Sequence, residues 1–336
     1  MENLIRKRAF GTTDLQVSEV GFGAWGIGGP AMAGQIPIGW GDVDDAESVR
    51  ALETALDRGI NFFDTADVYG TGHSEELIGS TFGNRDDVVV ATKVGHRVDE
   101  NGTFVRDYER SYILEACEAS LRRLRRETID YYQLHSAQVV ELERGECVDA
   151  MESLRRNGKI RDWGVSLNTF DPYPEADYLM EHHLGNGFQV VLNIINQRAL
   201  GLIANAARSG YGIIARMPLQ FGLLTGKFDR DTRFDERDHR SRRLTPDVLE
   251  RALDALQDVW PLTEKYGIDK TALSLSFVLS IEGVSTVIPG IKTPAQAIRN
   301  TSGLVKLDEA DMQRLHALFE SDLDALLTFM YDVETA

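Results

Sequence analysis

The sequence predicts an α/β fold, a (β/α)8 TIM barrel with an N-terminal hairpin and an extra C-terminal helix. Eight short β-rich runs alternate with longer amphipathic runs along the 336 residues. Most of the short runs contain a continuous apolar stretch, which is typical of parallel strands buried on both faces. No change in composition interrupts the alternation. Because eight strands, each followed by a helix, make up this barrel, we expect one domain over residues 1–336.

The predicted elements follow in chain order. The strands are expected at 19–23, 60–65, 88–93, 129–135, 160–166, 188–193, 211–217 and 285–289. The helices are expected at 45–58, 111–126, 147–157, 174–183, 200–208, 246–266, 270–279 and 293–300. In the first helix Val49, Leu52 and Leu56 fall on one face, which indicates an amphipathic helix. Gly59 follows the helix as a typical end signal.

A doubly wound open sheet is the alternative α/β fold. In dinucleotide-binding sheets of that kind, a glycine-rich turn after the first strand leads directly into a helix. The segment GFGAWGIGG at 21–29 is rich in glycine, but it leads into a long loop. The barrel is therefore favoured.

Three segments lie outside the repeat. Residues 6–17 are predicted to form a hairpin across the barrel bottom, turning at 11–14. Residues 226–244 carry a dense mixture of both charges, so we expect a solvated loop there, with a mobile lid as the second interpretation. Residues 307–333 contain the final amphipathic helix.

The charge and composition limit the partners that we expect. Lys and Arg number 36 and Asp and Glu 53, a formal net charge of −17. Nucleic acids and anionic membranes bind to positive faces, so neither is an expected partner. No apolar run reaches the roughly 18 residues of a membrane span. The first residues lack a signal-peptide pattern, which predicts a cytoplasmic protein. The two cysteines, Cys117 and Cys147, have no metal-ligand spacing, so no metal is expected.

Polar residues stand at the predicted strand ends, where barrels of this kind carry their chemistry. Asp64 lies at the end of the second strand, and Tyr69 follows shortly after it. Lys93 ends the third strand and His135 ends the fourth. An ammonium group lowers the pKa of a neighbouring phenol, and a carboxylate keeps that ammonium charged. A neutral imidazole can hold a carbonyl oxygen in line. Together these side chains predict a general acid for a carbonyl oxygen that becomes an alcohol.

Several ordered motifs resemble the aldo-keto reductase superfamily, NADPH-dependent oxidoreductases built on a (β/α)8 barrel. The resemblance extends from about Arg8 to Asn300. It is carried by GINFFDTADVYGTGHSEELIG at 59–79, ATKVG at 91–95, DYYQLH at 130–135, GKIRDWGVS at 158–166 and IPGIKTPAQAIRN at 288–300. The resemblance implies that Tyr69 is the proton donor. It further implies that Lys93 and Asp64 set the pKa of Tyr69, and that His135 orients the substrate carbonyl.

The resemblance also implies a nicotinamide cofactor, with NADPH favoured over NADH. Ser166, Asn168 and Gln189 are placed to bind the nicotinamide carboxamide. The usual pattern has Asn directly after Ser, but Leu167 intervenes here, so Ser166 and Gln189 are preferred. At the end of the seventh strand, where many members carry an aromatic residue, this chain has Arg216. A guanidinium plane can also stack on a ring.

Two segments are expected to bind the cofactor phosphates. LQFGLLTGK at 219–227 resembles the loop that folds over the pyrophosphate, with backbone donors and Lys227. In TPAQ at 293–296, Thr293 is a candidate N-cap and Gln296 completes a capping box, and such a helix start can bind an anion. Lys292 is expected to pair with the adenosine 2′-phosphate, although the family often has Arg where Gln296 stands. The other predicted cofactor-binding residues are Pro218, Leu219, Gly222, Leu224, Gly226, Gly290 and Asn300.

The substrate pocket is expected beside the same strand ends. Trp25, in the loop after the first strand, is predicted to line it together with Tyr69 and His135; packing is the alternative role for Trp25. The other six histidines, His96 and His239 among them, are expected to have no part in catalysis.

The predicted function is hydride transfer from NADPH to an aldehyde or ketone, sugar-type carbonyls included. One alternative is a cofactor-bound regulatory subunit that resembles the potassium-channel β-subunit type. Another is a lyase that uses Lys93 as a Schiff-base amine, which Asp64 disfavours by keeping the lysine charged. The expected partner is a small carbonyl substrate. A monomer is the default expectation, with an oligomer left open.

Overall fold

The computed structural model describes residues 5–34, 36–99, 101–236 and 238–335, and its centre is one eight-stranded sheet. Its strands are β1 (Phe22–Gly23), β2 (Phe62–Asp64), β3 (Val89–Val94), β4 (Ile129–His135), β5 (Ile160–Ser166), β6 (Gly187–Val191), β7 (Gly212–Arg216) and β8 (Thr286–Ile288). Each strand pairs in parallel with its neighbours in chain order. Parallel bridges from Val20 to Val287 and from Gly23 to Gly290 join β1 to β8. The sheet therefore closes, and the predicted (β/α)8 barrel is confirmed.

One main helix follows each strand. These helices are α1 (Asp45–Asp57), α2 (His73–Phe82), α3 (Arg110–Leu124), α4 (Glu146–Arg156), α5 (Tyr173–Glu181), α6 (Leu200–Arg208), α7 (Lys270–Ser280) and α8 (Pro294–Asn300). Further helical segments are Ala24–Gly28, Val139–Arg144, Gln220–Thr225, Arg240–Arg243, Pro246–Ala255 and Pro261–Tyr266. The chain continues through Glu309–Leu318, Phe319–Leu323 and Asp324–Thr335. The extra C-terminal helix is thus present.

Three small antiparallel pairs lie outside the barrel. They are Lys7–Ala9 with Gln16–Ser18, Met32–Ala33 with Ile36–Pro37, and His96–Val98 with Phe104–Arg106. The first is the predicted hairpin. Within the described ranges, no helix combines the length and the apolar character that crossing a membrane requires.

Some predicted boundaries differ from the structure. The helix predicted at 246–266 is two helices, because Pro261 cannot continue the preceding turn and instead begins a new one. The first strand is shorter than 19–23, since the Glu19 amide donates to the Arg6 carbonyl of the hairpin at 2.8 Å. The sixth strand ends before Asn193, whose side chain accepts from two following backbone amides and forms a turn.

The hairpin fills one end of the barrel. Phe10 packs edge-on against Tyr131, with ring centroids 4.8 Å apart. Gly212 makes room for Phe10, because a Cβ there would lie 2.6 Å from the Phe10 ring. The cluster that they form is completed by Leu15, Val17, Phe62, Val89, Ala91, Ile214 and Ile288. Since this end is a packed apolar core, the polar strand ends at the other end of the barrel are where a site can form.

Candidate active site

Three of the predicted catalytic side chains meet where β2 and β3 end. Lys93 Nζ lies 2.6 Å from Asp64 Oδ2, 2.8 Å from the Thr65 carbonyl oxygen and 3.4 Å from Tyr69 Oη. Lys93 is 0% exposed and Asp64 is 2% exposed. Burying two charges costs desolvation energy that only close pairing and further hydrogen bonds offset. The close pairing and the further hydrogen bonds of Lys93 therefore stabilise this buried ion pair, and the Tyr69 hydroxyl lies beside it.

The electrostatics of Tyr69 combine opposing effects. Desolvation raises the pKa of Tyr69, Lys93 lowers it, and Asp64 raises it, so that the net pKa is above its ordinary value. The expected lowering by Lys93 is thus present but smaller than the effect of burial. Desolvation acts against the Lys93 ammonium, yet Asp64 and Tyr69 outweigh it and raise the pKa of Lys93. A lysine held charged is a poor nucleophile, which disfavours the lyase alternative.

His135 faces the same group from the end of β4. Its ring centroid lies 6.2 Å from that of Tyr69, with the planes nearly perpendicular. Desolvation, followed by His96 and by the charges of Lys93 and Arg216, lowers the pKa of His135 well below its ordinary range, so the imidazole is neutral. Its Nδ1 has no hydrogen-bond partner among the residues that the structure describes.

His96 is a site residue that the sequence analysis assigned no part in catalysis. Its ring stacks on that of His135 with centroids 4.2 Å apart and planes 23° apart. Desolvation, aided by Arg106 and Lys93, lowers the pKa of His96 to about 4. The available signal was its position, three residues after Lys93 in the segment that leaves β3 at the mouth of the barrel.

Gln133 is the second residue that the sequence analysis missed. Gln133 Nε2 donates to Asp64 Oδ1 at 3.1 Å, and Gln189 Nε2 donates to the same oxygen at 2.7 Å. Gln189 Nε2 also lies 3.2 Å from Gln133 Oε1. Because side chains alternate along a strand, Gln133 shares the inward face of β4 with His135, two residues on, and this period was the signal that pointed to it.

The three residues predicted for the carboxamide are not equally placed. Ser166 and Gln189 are register partners on β5 and β6, with Ser166 Oγ 3.4 Å from Gln189 Oε1. Asn168 is exposed, and its Oδ1 accepts from the amides of Phe170 and Asp171. The structure therefore groups Ser166 with Gln189, while Asn168 orders its own loop.

Arg216 reaches from the end of β7 across the mouth. Its guanidinium donates to the Leu167 carbonyl and to Thr169 Oγ1, both at 3.1 Å. Trp25 lies on the other side, its ring 6.0 Å from that of Tyr69 and nearly parallel to it. A cavity of about 110 Å³ lies between them, lined by Trp25, Thr169, Phe170, Arg216, Met217, Gln220, Phe221, Arg243 and Met330.

The segment that resembles the pyrophosphate loop is tightly wound. Gln220, Phe221 and Gly222 have φ values of +43°, +56° and +100°. The amides of Gly222 and Leu224 both donate to the Leu219 carbonyl oxygen, at 2.8 Å and 3.3 Å. These two amides are therefore engaged within the loop. Pro218 precedes this turn, and Gly226, with a φ of +74°, ends it.

A group of cations lies between this loop and α8. Desolvation lowers the pKa of Lys227 and of Lys292, and the nearby guanidinium of Arg240 lowers both further. Asp238 opposes this effect but is itself bound by Arg240 at 2.5 Å. We call Lys227, Arg240 and Lys292 the cation cluster. An anion placed there would relieve the repulsion between these like charges.

The start of α8 is capped in a modified way. Thr293 Oγ1 accepts from the Gln296 amide at 3.2 Å, as predicted. Gln296 Oε1, however, accepts from the Lys292 amide at 2.6 Å rather than completing a box with Thr293.

At the other end of α8, Asn300 is 3% exposed, and within the described ranges its Nδ2 has no hydrogen-bond partner. A Cβ added at Gly290 would meet no atom within 4 Å.

The charged segment at 226–244, in which Arg237 lies outside the described residues, is only partly a solvated loop. His239 is 3% exposed and stacks on Trp25, with ring centroids 4.6 Å apart. It also meets Trp40 edge-on at 4.4 Å. The expectation for this part was wrong, because two indole rings offer an apolar surface against which the segment packs.

The imidazole of His239 is neutral. Arg243 Nη1 lies 2.8 Å from His239 Nδ1, and since a guanidinium only donates, Nδ1 accepts. Desolvation, with Arg243, lowers the pKa of His239 to about 3. Across the part of the chain that the structure describes, there is no group of three or more His, Cys, Asp or Glu side chains suited to hold a metal ion.

The chain is similar in sequence to known proteins. The Aldo/keto reductase family model matches residues 19–320. The aldo-keto reductase YhdN of Bacillus subtilis (strain 168) is 30% identical over 327 residues, covering 93% of this chain and 92% of that protein. The NADH-specific methylglyoxal reductase of Escherichia coli (strain K12) is 27% identical over 338 residues, covering 94% and 99%.

Solved structures show the same similarity. The glycerol dehydrogenase AKR11B4 from Gluconobacter oxydans has a TM-score of 0.79 and 30% identity, covering 94% of this chain and 95% of that one. The fold and the family match agree. The chain therefore belongs to the aldo/keto reductase family, oxidoreductases that use nicotinamide cofactors.

Proposed function

We propose that this protein reduces aldehydes or ketones to alcohols with a nicotinamide cofactor, and that Tyr69 is the proton donor. The observation that carries the proposal is the position of Lys93 Nζ, 3.4 Å from Tyr69 Oη and 2.6 Å from Asp64 Oδ2. A donor hydroxyl thus stands beside a cation that is fixed and kept charged. This is the arrangement that proton donation to a carbonyl oxygen requires.

The cofactor, when bound, supplies the hydride, and the side chains handle the proton. Tyr69 donates its hydroxyl proton to the carbonyl oxygen of the substrate. The Lys93 ammonium stabilises the phenolate that remains, and Asp64 holds the ammonium in place. Because these charges are already oriented in a site shielded from water, little reorganisation accompanies the proton transfer.

His135 is proposed to position the substrate carbonyl rather than to protonate it. Its lowered pKa keeps the imidazole neutral at physiological pH. A neutral ring can donate one hydrogen bond to the carbonyl oxygen, but its single N–H is too weak an acid to protonate that oxygen. This leaves Tyr69 as the acid. Trp25 completes the proposed substrate pocket beside Tyr69 and His135.

The residues present fit a dinucleotide cofactor. The cation cluster offers positive charge for phosphates, the buried Asn300 Nδ2 offers a donor without a partner in the described part of the chain, and α8 begins at Thr293 beside Lys292. We propose that Ser166 and Gln189 bind the carboxamide, with Asn168 at the rim of that site. The other proposed cofactor contacts are Arg216, Pro218, Leu219, Gly222, Leu224, Gly226, Lys227, Gly290, Lys292, Thr293, Gln296 and Asn300.

NADPH is proposed over NADH, and the cation cluster supports this choice. The 2′-phosphate of NADPH carries negative charge with which Lys227, Arg240 and Lys292 can pair. The 2′-hydroxyl of NADH carries no such charge. The Escherichia coli relative is by its name NADH-specific. The preference therefore rests on these three side chains rather than on family membership.

The substrate is proposed to be a small, oxygen-rich carbonyl compound, sugar-type carbonyls included. The cavity between Trp25 and Arg216 is small, at about 110 Å³. Methylglyoxal, in the name of one relative, is a small carbonyl compound, and glycerol, in the name of another, is a small polyol. We also propose that the 336 residues form one domain and that the protein is a monomer.

The test begins with equilibrium titration of NADPH and NADH, followed by intrinsic fluorescence. An aldehyde and ketone panel is then assayed by the absorbance of the reduced nicotinamide. Tight binding with turnover supports the proposed reductase. Tight binding without turnover on the whole panel favours the regulatory subunit instead. Failure to bind either nucleotide contradicts both.

A further inference from the structure

Asp64 is the centre of a buried hydrogen-bond network larger than its ion pair with Lys93. Its Oδ2 accepts from Lys93, while its Oδ1 accepts from Gln133 at 3.1 Å and from Gln189 at 2.7 Å. Gln133 is 0% exposed and Gln189 is 1% exposed. The network therefore joins β2, β3, β4 and β6 below the mouth of the barrel.

The chemistry of the carboxylate dictates how both amides are oriented. An ionised carboxylate only accepts hydrogen bonds, so each glutamine must present its Nε2 to Asp64 Oδ1. The second N–H of Gln189 points towards Gln133 Oε1, 3.2 Å away. Both hydrogens of Gln189 Nε2 are then committed. Its Oε1 turns towards Ser166 Oγ, 3.4 Å away, as the acceptor that is left for a ligand.

We propose that Gln133 is a positioning residue that, together with Asp64, holds Gln189 as an acceptor for the amino group of the cofactor carboxamide, and that it links this contact to Asp64, Lys93 and Tyr69. The inference rests on the proposed function. It assigns a role to a side chain that is not expected to touch the cofactor or the substrate.

The link to Tyr69 follows from the charge on Asp64. Two amide donors on Oδ1 stabilise the carboxylate and reduce the negative potential that reaches Lys93 and Tyr69. Without Gln133, Asp64 would hold the Lys93 charge more strongly, and Lys93 would stabilise the Tyr69 phenolate less. The other charged or titratable groups near the Tyr69 hydroxyl are Arg216 and the neutral rings of His135 and His96.

The first experiment measures binding, not turnover. The full-length protein and its Gln133→Met variant are titrated with NADPH and with its 3-acetylpyridine analogue, which keeps the carbonyl group but lacks the amino group. Methionine matches glutamine in length and removes both hydrogen bonds. The unchanged protein is expected to prefer NADPH about fivefold to tenfold, the effect of one neutral hydrogen bond. In Gln133→Met this preference is expected to fall about twofold, because Gln189 Nε2 keeps Asp64 Oδ1 but loses Gln133 Oε1 as an acceptor.

A matched control separates this role from simple loss of a buried amide. Gln197 is also buried, 2% exposed, and its Nε2 donates to the carbonyls of Ile194 and Leu315, outside the Asp64 network. Gln197→Met is expected to lower thermal stability without changing the preference for NADPH over the analogue. Equal preferences in the unchanged protein and in Gln133→Met would overturn the inference.

The second experiment is the pH profile of kcat/KM for carbonyl reduction. Tyr69 must be protonated to act as the donor, so activity falls as pH rises through its pKa. Loss of Gln133 raises that pKa, and the alkaline limb is expected to move up by about half a unit. A profile that stays in place would overturn the link to Tyr69.

Gln133→Glu provides a second variant, which decides the question if the methionine variant does not fold. The carboxyl group that it introduces can donate to Asp64 and accept from Gln189 while it is protonated, whereas its ionised form cannot donate. Both protonation states of the introduced carboxyl group accept from Gln189 Nε2, so the preference for NADPH over the analogue is expected to be kept at every pH. Loss of that preference in Gln133→Glu would contradict the inference. If the unchanged protein binds neither nucleotide, the proposed function fails first.

Discussion

The two ends of the barrel differ in how many polar groups they bury. At the hairpin end, the cluster around Phe10 is apolar except for the Tyr131 hydroxyl. At the other end, a charged pair and two amides are buried. There, His135 Nδ1 and His96 Nε2 have no partners within the described ranges. An unmet buried polar atom costs about 1–3 kcal/mol. The comparison indicates that the hairpin end supplies stability and that the open end keeps polar groups available for ligands.

The largest effect is expected from the open end. Tyr69→Phe removes the hydroxyl beside Lys93 and nothing else, so kcat/KM for reduction should fall by about a thousandfold, within the usual range for loss of a general acid. NADPH affinity should stay within about twofold, because the cofactor contacts are elsewhere. Steady-state kinetics and fluorescence titration measure the two quantities. An unchanged kcat would contradict Tyr69 as proton donor.

The complementary change is made at the hairpin end. Phe10→Ala leaves a cavity between Gly187, Gly212 and Tyr131, and such truncations cost about 3–5 kcal/mol of the free energy of unfolding. Urea denaturation measures the loss. The activity of the folded fraction should stay the same, because Phe10 lies at the far end of the barrel. A variant that loses activity while keeping its stability would refute the division between the two ends.

A smaller effect is expected from the cation cluster. Lys292→Ala should weaken NADPH binding by about tenfold, the effect of one charge-assisted hydrogen bond, and NADH binding much less. Both are measured by titration at fixed ionic strength. Lys306→Ala, at an exposed position outside the cluster, serves as the control and should change neither affinity. Equal losses for both nucleotides in Lys292→Ala would remove this lysine from the 2′-phosphate site.

The last effect concerns stability against pH. The pKa of His239 is lowered to about 3 in the folded protein, so below the ordinary value of about 6.5 the unfolded chain binds one proton more. The free energy of unfolding should therefore fall by about 1.4 kcal/mol for each unit of acidification between these values. In His239→Phe this slope should decrease by that amount. Urea denaturation from about pH 7 to pH 5 measures it, and identical slopes would show that His239 is not buried neutral.

Local patterns explain why much of the fold could be predicted. The strand runs predicted at 129–135 and 160–166 match the observed bounds. The places of Asp64, Lys93, Tyr69 and His135 followed from strand ends and motifs. Their roles, like the single domain, the monomer and the cytoplasmic location, stay predictions.

What could not be predicted depends on segments far apart in the chain. The role of Gln133 depends on its hydrogen bonds to Asp64 and Gln189, which lie 69 and 56 residues away along the chain. His239 belongs to a strongly charged segment, and only the folded chain brings it against Trp25 and Trp40. The sequence shows which residues are polar, but the three-dimensional arrangement decides which of them share a partner.

Because the first strand is short, its pairing with β8 forms a weak seam in the barrel. β1 is two residues long, and four backbone hydrogen bonds of 2.8–3.2 Å hold it and its flanks to β8. Amides in so short a pairing should exchange with solvent deuterons earlier than those of β4 and β5, through local opening. Because Trp25 closely follows β1, parting of this seam would also displace one wall of the pocket. Opening of the β1–β8 pairing would then also control how readily ligands enter the site.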